Sequence, residues 1–270
     1  MRRPFPGWKC VKLAPAAPWA LDLVHAANHR CAVTRSKCAI VTGATSGIGA
    51  AVGQALAAAG MRLLLVGRNP GSLAAAARRF PARRRPGTAV ADLRSLADIR
   101  RLLTEATQRL PRIDVLVHCA GEYQWSGDGG IDSGSFDRLF ETNVRAPYLL
   151  TQGLAPLLER ARGQVIFLNS SVVRGTGQGV ALFKATQHAL LGLTDSLRQE
   201  LNPRGIRVSS VFPGRTATPR MRRIYAQERR RYTPRLLLSA ADVARVVLSL
   251  TELPAAAEVT EVHVRSARSY

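Results

Sequence analysis

The sequence predicts an α/β fold, a doubly wound parallel sheet with helices on both faces, in one domain. Three observations carry it. From Cys38 to Val264, short continuous Val/Ile/Leu runs alternate with helix-length patterns. Such runs are strands buried on both faces, and the helices between them are the crossovers that keep neighbouring strands parallel. A glycine cluster (Gly43, Gly47, Gly49) stands at the first strand–helix junction, and neither an internal repeat nor a linker interrupts the pattern after residue 38.

In order, residues 39–42 read as a short apolar strand and 48–59 as a helix stopped by Gly60. A buried strand at 61–66 and a helix at 72–80 follow, then a strand at 88–91. The helix at 96–110 has Ser95 as N-cap and Pro111 beyond its end. A strand at 113–117 leads into a polar, glycine-bearing loop to about 133, and 136–161 reads as one long helix. Next come a strand at 165–168, a helix at 181–201 and a strand at 206–212. A basic segment, mobile in character, runs to about 238. Ser239 and Asp242 form a capping box before a helix through Leu250, and 259–264 is the last strand.

Composition narrows the function classes. The 270 residues include 39 Lys+Arg against 18 Asp+Glu, a formal net charge of +21. A hydrophobic fraction of 46% supports a packed core and excludes disorder. No apolar run reaches about 18 residues, so no membrane span is expected. Only Lys9, Lys12, Lys37 and Lys184 are lysines; the arginine excess, beside many alanines, looks like the coding bias of a GC-rich genome. It is densest at Arg78, Arg79, Arg83, Arg84 and Arg85, and over 215–235, where eight arginines face only Glu228. An arginine-rich surface is the plain reading, and attraction to phosphate or another anion the sharper one. Nucleic acid fits poorly, because no basic groove interleaved with aromatics is present.

Four cysteines (Cys10, Cys31, Cys38, Cys119) are too few and too scattered for a disulfide framework, which suits a reducing, cytoplasmic setting. His25, His29, Cys31 and Cys38 match no zinc spacing, so no metal site is expected. Residues 1–37 hold seven basic residues, one acid (Asp22) and four prolines, and read as a loose extension. Their apolar stretch at 13–21 is broken by Pro15 and Pro18 and leads to no clear cleavage site, which argues against a targeting peptide. A chain beginning near Ser36 is expected to keep its melting temperature and ligand affinity. A large fall in Tm would show instead that the extension packs on the core.

The run Thr42-Gly43-Ala-Thr-Ser46-Gly47-Ile48-Gly49 lies between the first strand and the first helix. Glycines there permit a tight turn and let the backbone approach a pyrophosphate, which a helix N-terminus attracts. The Gly-x3-Gly-x-Gly spacing is not the usual Gly-x-Gly-x-x-Gly, and its place between strand and helix gives it weight. Further on stand Asp92 after the third strand and His118-Cys119-Ala120-Gly121 after the fourth. Then come Glu141-Thr-Asn143-Val in the long helix, Ser170-Ser171 after the fifth strand, and Pro213-Gly214-Arg-Thr-Ala-Thr218 after the sixth. With these six motifs in this order, the sequence from about Cys38 to Val264 resembles the short-chain dehydrogenase/reductase family.

The resemblance implies a single Rossmann-type sheet of about seven strands, a nicotinamide dinucleotide cofactor, and a small carbonyl or alcohol substrate. It places Gly43, Ser46, Gly47, Ile48 and Gly49 at the cofactor turn, and Asp92 at the adenine. Ala120 and Gly121 fall in the family's Asn-Asn-Ala-Gly motif, where His118 and Cys119 replace the asparagines. Pro213, Gly214 and Thr218 match the segment beside the nicotinamide. Residues 215–238 match a substrate lid, with Met221, Ile224, Tyr225 and Tyr232 on its apolar face and arginines around them, which favours a ligand with an anionic group. Homo-oligomers packed through the long helix are usual in the family.

Cofactor choice follows from charge. A fold of this kind that prefers NAD places a carboxylate at the end of the second strand. From Gly43 to Ala91 the chain has no Asp or Glu, and the second strand ends Val66-Gly67-Arg68. Arg68 can pair with a 2′-phosphate through charge-assisted hydrogen bonds, so NADP(H) is favoured over NAD(H).

The catalytic positions depart from the family. Its carbonyl reduction uses a Tyr-x3-Lys pair, a Ser and an Asn; here Phe183 stands at the Tyr position and Gln187 at the Lys position. A phenyl ring has no proton to exchange, and Gln187 can hydrogen-bond a ribose hydroxyl but carries no charge. Asn143 remains. Ser171 takes the serine place by pattern and Ser170 by its thirteen-residue distance to Phe183; the pattern favours Ser171. Lys184 reads as a solvated or interface lysine and His188 as a packed residue. Tyr123, two residues after Gly121 and beside Glu122, is the candidate replacement donor, the alternative being that Tyr123 and Trp125 only wall a pocket. The readings that follow are an oxidoreductase with an altered site and a binding or regulatory protein that kept the nucleotide pocket.

Overall fold

The computed structural model describes residues 36–125, 133–175 and 179–268. Strands β1 (Cys38–Thr42), β2 (Arg62–Gly67) and β3 (Gly87–Val90) alternate with helices α1 (Gly47–Ala58), α2 (Pro70–Arg78) and α3 (Leu96–Arg109). β4 (Val115–His118), α4 (Ser133–Phe140), α5 (Ala146–Ala161), β5 (Gln164–Leu168), α6 (Ala181–Leu201) and β6 (Arg207–Pro213) continue the winding. Two short strands, β7 (Thr216–Ala217) and β8 (Leu238–Ser239), bracket α7 (Pro219–Gln227), and α8 (Ala240–Glu252) leads to β9 (Glu261–Val264). Seven strands form one sheet in the order β3-β2-β1-β4-β5-β6-β9, and every pairing in it is parallel.

The apolar runs are continuous because alternate residues serve different cores. Ile40, Leu64, Leu116 and Phe167 face α3, α5 and α6, where Leu103, Leu150 and Leu197 meet them. Val41, Leu65, Val117 and Ile166 face α1 and α8, against Leu56 and Val247. Each such side chain stabilises the fold by roughly 1.5–3 kcal/mol relative to an exposed one. The order of strand addition switches side between β1 and β4, and the carboxyl ends of these parallel strands open a crevice there, the usual ligand position in doubly wound sheets.

Local signals explain the boundaries. Ser95 caps α3 through Asp98 N, and Ser239 with Asp242 forms the expected capping box on α8. Gly60, at φ +85, ends the α1 turn in a conformation that suits glycine. Two expectations need correction. The pattern over 136–161 is not one regular helix, because a π-helical turn, Glu141–Arg145, joins α4 to α5. The basic segment after Arg215 is not a plain loop: α7 forms within it, capped by Thr218 and anchored by buried Ile224 and Tyr225.

Residues 1–35 lie outside the described residues, and with them most of the basic extension, as well as His25, His29 and Cys31. Among the described residues no three potential metal ligands cluster, and no helix is long and apolar enough to cross a membrane.

Candidate active site

The glycine turn is held by close packing against the segment after β4. Gly43 has φ +65, and a Cβ there would lie 2.7 Å from Ala120 Cα. A Cβ on Gly49 would lie 2.3 Å from the Gly43 carbonyl oxygen. Thr42 Oγ1 accepts hydrogen bonds from Cys119 N and Ala120 N, both 3.1 Å. The turn feeds α1, whose N-cap Ser46 makes no side-chain cap bond and whose first turn carries no acid. The N-termini of α2, α3, α7 and α8 are all capped by side chains. Thus α1 points unquenched N–H groups and its positive dipole end into a cleft of about 990 Å³.

The structure gathers nearly all the expected residues around this cleft. Gly43, Ser46, Gly47, Ile48 and Gly49 line it with Arg68 and Asp92, as do Ala120, Gly121, Pro213, Gly214 and Thr218. Tyr123, Ser171 and Phe183 line the same space, while Asn143 and Gln187 do not.

Asn143 is 2% exposed, in the π turn. Its Oδ1 accepts from Glu122 N at 2.7 Å, and its Nδ2 donates to Glu122 O at 2.9 Å and to Thr186 Oγ1 at 3.0 Å. It therefore ties the loop after β4 to α6. Gln187 is 5% exposed, and its Nε2 reaches only Thr186 Oγ1, at 3.5 Å. Its main-chain oxygen accepts from Asn169 Nδ2 at 3.1 Å. Sequence reasoning missed Asn169 and Thr186; a polar side chain ending the buried run of β5 was the available signal for Asn169.

The two serines differ. Ser170 Oγ accepts from Val172 N at 3.3 Å, capping the short helical turn Ser171–Arg174. The Ser171 hydroxyl has no partner among the described residues, which suits the serine that meets a ligand. Lys184 Nζ donates to Gly175 O at 2.6 Å and does not line the cleft. His188, expected to be packed, lies at the surface because it follows the buried face of α6.

Tyr123 stands edge-on to Phe183, with ring centroids 5.0 Å apart. Burial, with help from Glu228, pushes its phenol up to about 12, against the opposing pull of Arg215. Glu228 holds Arg215 through two bonds of 2.8 and 2.9 Å and faces Arg230 at 3.5 Å. Those two guanidinium groups lie 4.9 and 5.3 Å from the Tyr225 ring centroid, so the segment around α7 is gathered on one aromatic ring and one carboxylate. Trp125 packs on Gly179, which has φ +68 and whose Cβ would meet the indole at 2.4 Å. Asp92 is held below the usual carboxylate range chiefly by its hydrogen bonds from the Arg94 side chain. Burial raises the Cys119 thiol. His118 is driven down to about 3 by burial and pairs with Thr151 Oγ1 at 2.9 Å, away from the cleft.

A seven-stranded doubly wound sheet with a glycine turn at its reversal point defines the Rossmann-type α/β class. The family model described as short chain dehydrogenase matches residues 37–229, and the chain belongs to that family. An uncharacterized oxidoreductase of Staphylococcus epidermidis is 30% identical over 236 residues, covering 87% of this chain and 99% of the relative. The human dehydrogenase/reductase SDR family member 2, mitochondrial, is 30% identical over 217 residues, 78% of this chain and 75% of its own. Among solved structures, a metagenomic short-chain oxidoreductase in complex with NADP is 29% identical with a TM-score of 0.73, covering 86% of this chain and 98% of that one. An actinorhodin polyketide ketoreductase variant with NADPH is 26% identical with a TM-score of 0.78, covering 87% and 97%.

Proposed function

We propose that the protein is an NADP(H)-dependent carbonyl reductase whose proton donor is Tyr123, on the loop after β4, in place of a tyrosine at position 183. The observation that carries this reading is the edge contact between Tyr123 and Phe183 in the cleft that Ser171 also lines. A phenol is thereby delivered beside the position the family gives to its own.

The residues present fit the cofactor. The glycine cradle would be filled by any Cβ at Gly43 or Gly49, and the uncapped α1 N-terminus suits a pyrophosphate. Arg68 lines the cleft at the end of β2 and suits a 2′-phosphate. When bound, the reduced nicotinamide supplies a hydride to the carbonyl carbon. Ser171 donates a hydrogen bond to the carbonyl oxygen, and Tyr123 Oη gives that oxygen its proton. A phenol raised to about 12 stays protonated at neutral pH, as a donor must. Arg220, Arg223 and Arg230 at the mouth favour a small substrate with an anionic group. Exposed Phe136 and Tyr148, on α4 and α5, mark the face for homo-oligomer contact.

The second reading, a protein that binds the dinucleotide without turning it over, draws on Gln187, an uncharged side chain where the family has its lysine. Oxidation of NADPH in the presence of small ketones and quinones decides between the two. Calorimetric titration tests the cofactor. NADPH should bind more tightly than NADH by about tenfold or more, the worth of a charged hydrogen-bond pair. Arg68→Asp should reverse the order, and equal affinities in the wild type would overturn the assignment.

A further inference from the structure

Arg68 is already engaged in the free protein. Its Nη1 meets Glu122 Oε1 at 3.0 Å, although the Arg68 side chain is 65% exposed. Arg68 follows β2 and Glu122 follows β4, and β1 lies between these strands in the sheet. The bridge therefore spans the carboxyl end of β1, above the glycine turn. Arg220, in the first turn of α7, donates to the Gly121 carbonyl from the lid side. It also feels the charges of Arg223, Glu122 and Arg68. All four charged side chains line the cleft. Arg68 and Arg220, from two separate elements, thus converge on a single carboxylate.

Two guanidinium groups so placed suit a phosphate monoester, which is close to a dianion at neutral pH. We propose that Glu122 is a built-in competitor for the cofactor phosphate: it occupies Arg68 in the free protein and yields it to the 2′-phosphate, and so sets the strength of discrimination between NADP(H) and NAD(H). The inference rests on the assignment of Arg68 to the 2′-phosphate. A phosphate repays the lost bridge, because it replaces one negative charge by nearly two among the same guanidinium groups. A dinucleotide without that phosphate offers Arg68 only neutral ribose hydroxyls, so the bridge stays closed. Glu122 is a specificity-determining residue on this account. Its main chain is pinned by Asn143, so the side chain can leave Arg68 without moving the loop.

The test is calorimetric titration of NADP+ and NAD+ into the full chain as wild type, Glu122→Gln, Arg68→Ala and the double variant, with Tm recorded for each. Glu122→Gln should tighten NADP+ by about two- to fivefold, the scale of a partly exposed ion pair, and leave NAD+ unchanged. In the Arg68→Ala background that gain should vanish. Glu122→Ala serves as an independent second variant and should behave alike. Unchanged or weaker NADP+ binding in Glu122→Gln overturns the proposal, as does a gain that survives in Arg68→Ala, since that would be general electrostatics. If Arg68→Ala leaves the wild-type preference for NADP+ over NAD+ intact, the Arg68 assignment itself falls.

Discussion

Tyr123→Phe is expected to lower NADPH-dependent ketone reduction by roughly 10²–10⁴-fold, the contribution of a positioned general acid. NADPH affinity and Tm should hold. The substitution removes one hydroxyl, keeps the ring against Phe183, and breaks no hydrogen bond among the described residues. The pH profile separates this role from a packing role. With the phenol raised to about 12, reduction by the wild type should be flat through neutral and mildly alkaline pH. Alcohol oxidation needs the unprotonated oxygen to accept a proton, so it should climb as pH rises towards that value. The variant should lose the climb. A variant that reduces ketones at the wild-type rate would return Tyr123 to the wall of the cleft.

The second large effect is a rescue. In the Tyr123→Phe background, Phe183→Tyr places a hydroxyl on a side chain that already lines the cleft. Alone it should help little, because Gln187 carries no charge to hold the cofactor ribose and the new hydroxyl in register with the carbonyl. Adding Gln187→Lys places an ammonium one helical turn away, beneath the cleft, where Gln187 makes only a long contact to Thr186. The pair should exceed the sum of the singles, since each residue acts through the other. NADPH oxidation with a panel of ketones is the assay. A triple variant that binds NADPH but stays inert would mean that the serine turn or the cleft shape no longer serves a donor at position 183.

The strands and the glycine turn were legible because two-sided burial leaves a continuous apolar record. Ile40 and Val41 belong to opposite cores, yet both must be apolar. Most of the candidate site was legible for a related reason, since Ser171, Thr218 and Gly121 sit at strand ends whose order the topology dictates. Helix α7 was obscured because its nine residues bury only Ile224 and Tyr225, while the guanidinium groups packed on Tyr225 come from Arg215 and Arg230, outside the helix on either side. The Arg68–Glu122 bridge was illegible because it joins residues 54 positions apart through sheet order alone. Gln187 was placed at the ribose by resemblance, whereas burial and its hydrogen bonds keep it below the cleft surface.

The π turn has a geometric meaning beyond the hydrogen bonds of Asn143. It is a one-residue phase slip in a helical screw, and each residue of an α-helix advances the screw by about 100°. The side chains of α5 therefore face directions that α4 alone would not have set. Leu150, Leu154 and Leu158, one stripe of the core against the sheet, follow that slip directly. Loss of one residue between 141 and 145 would rotate this stripe out of the core, and in the same motion release the loop carrying Glu122 and Tyr123. Packing of the interior and the placing of Tyr123 are thus clocked by a single irregularity, so neither can drift without the other.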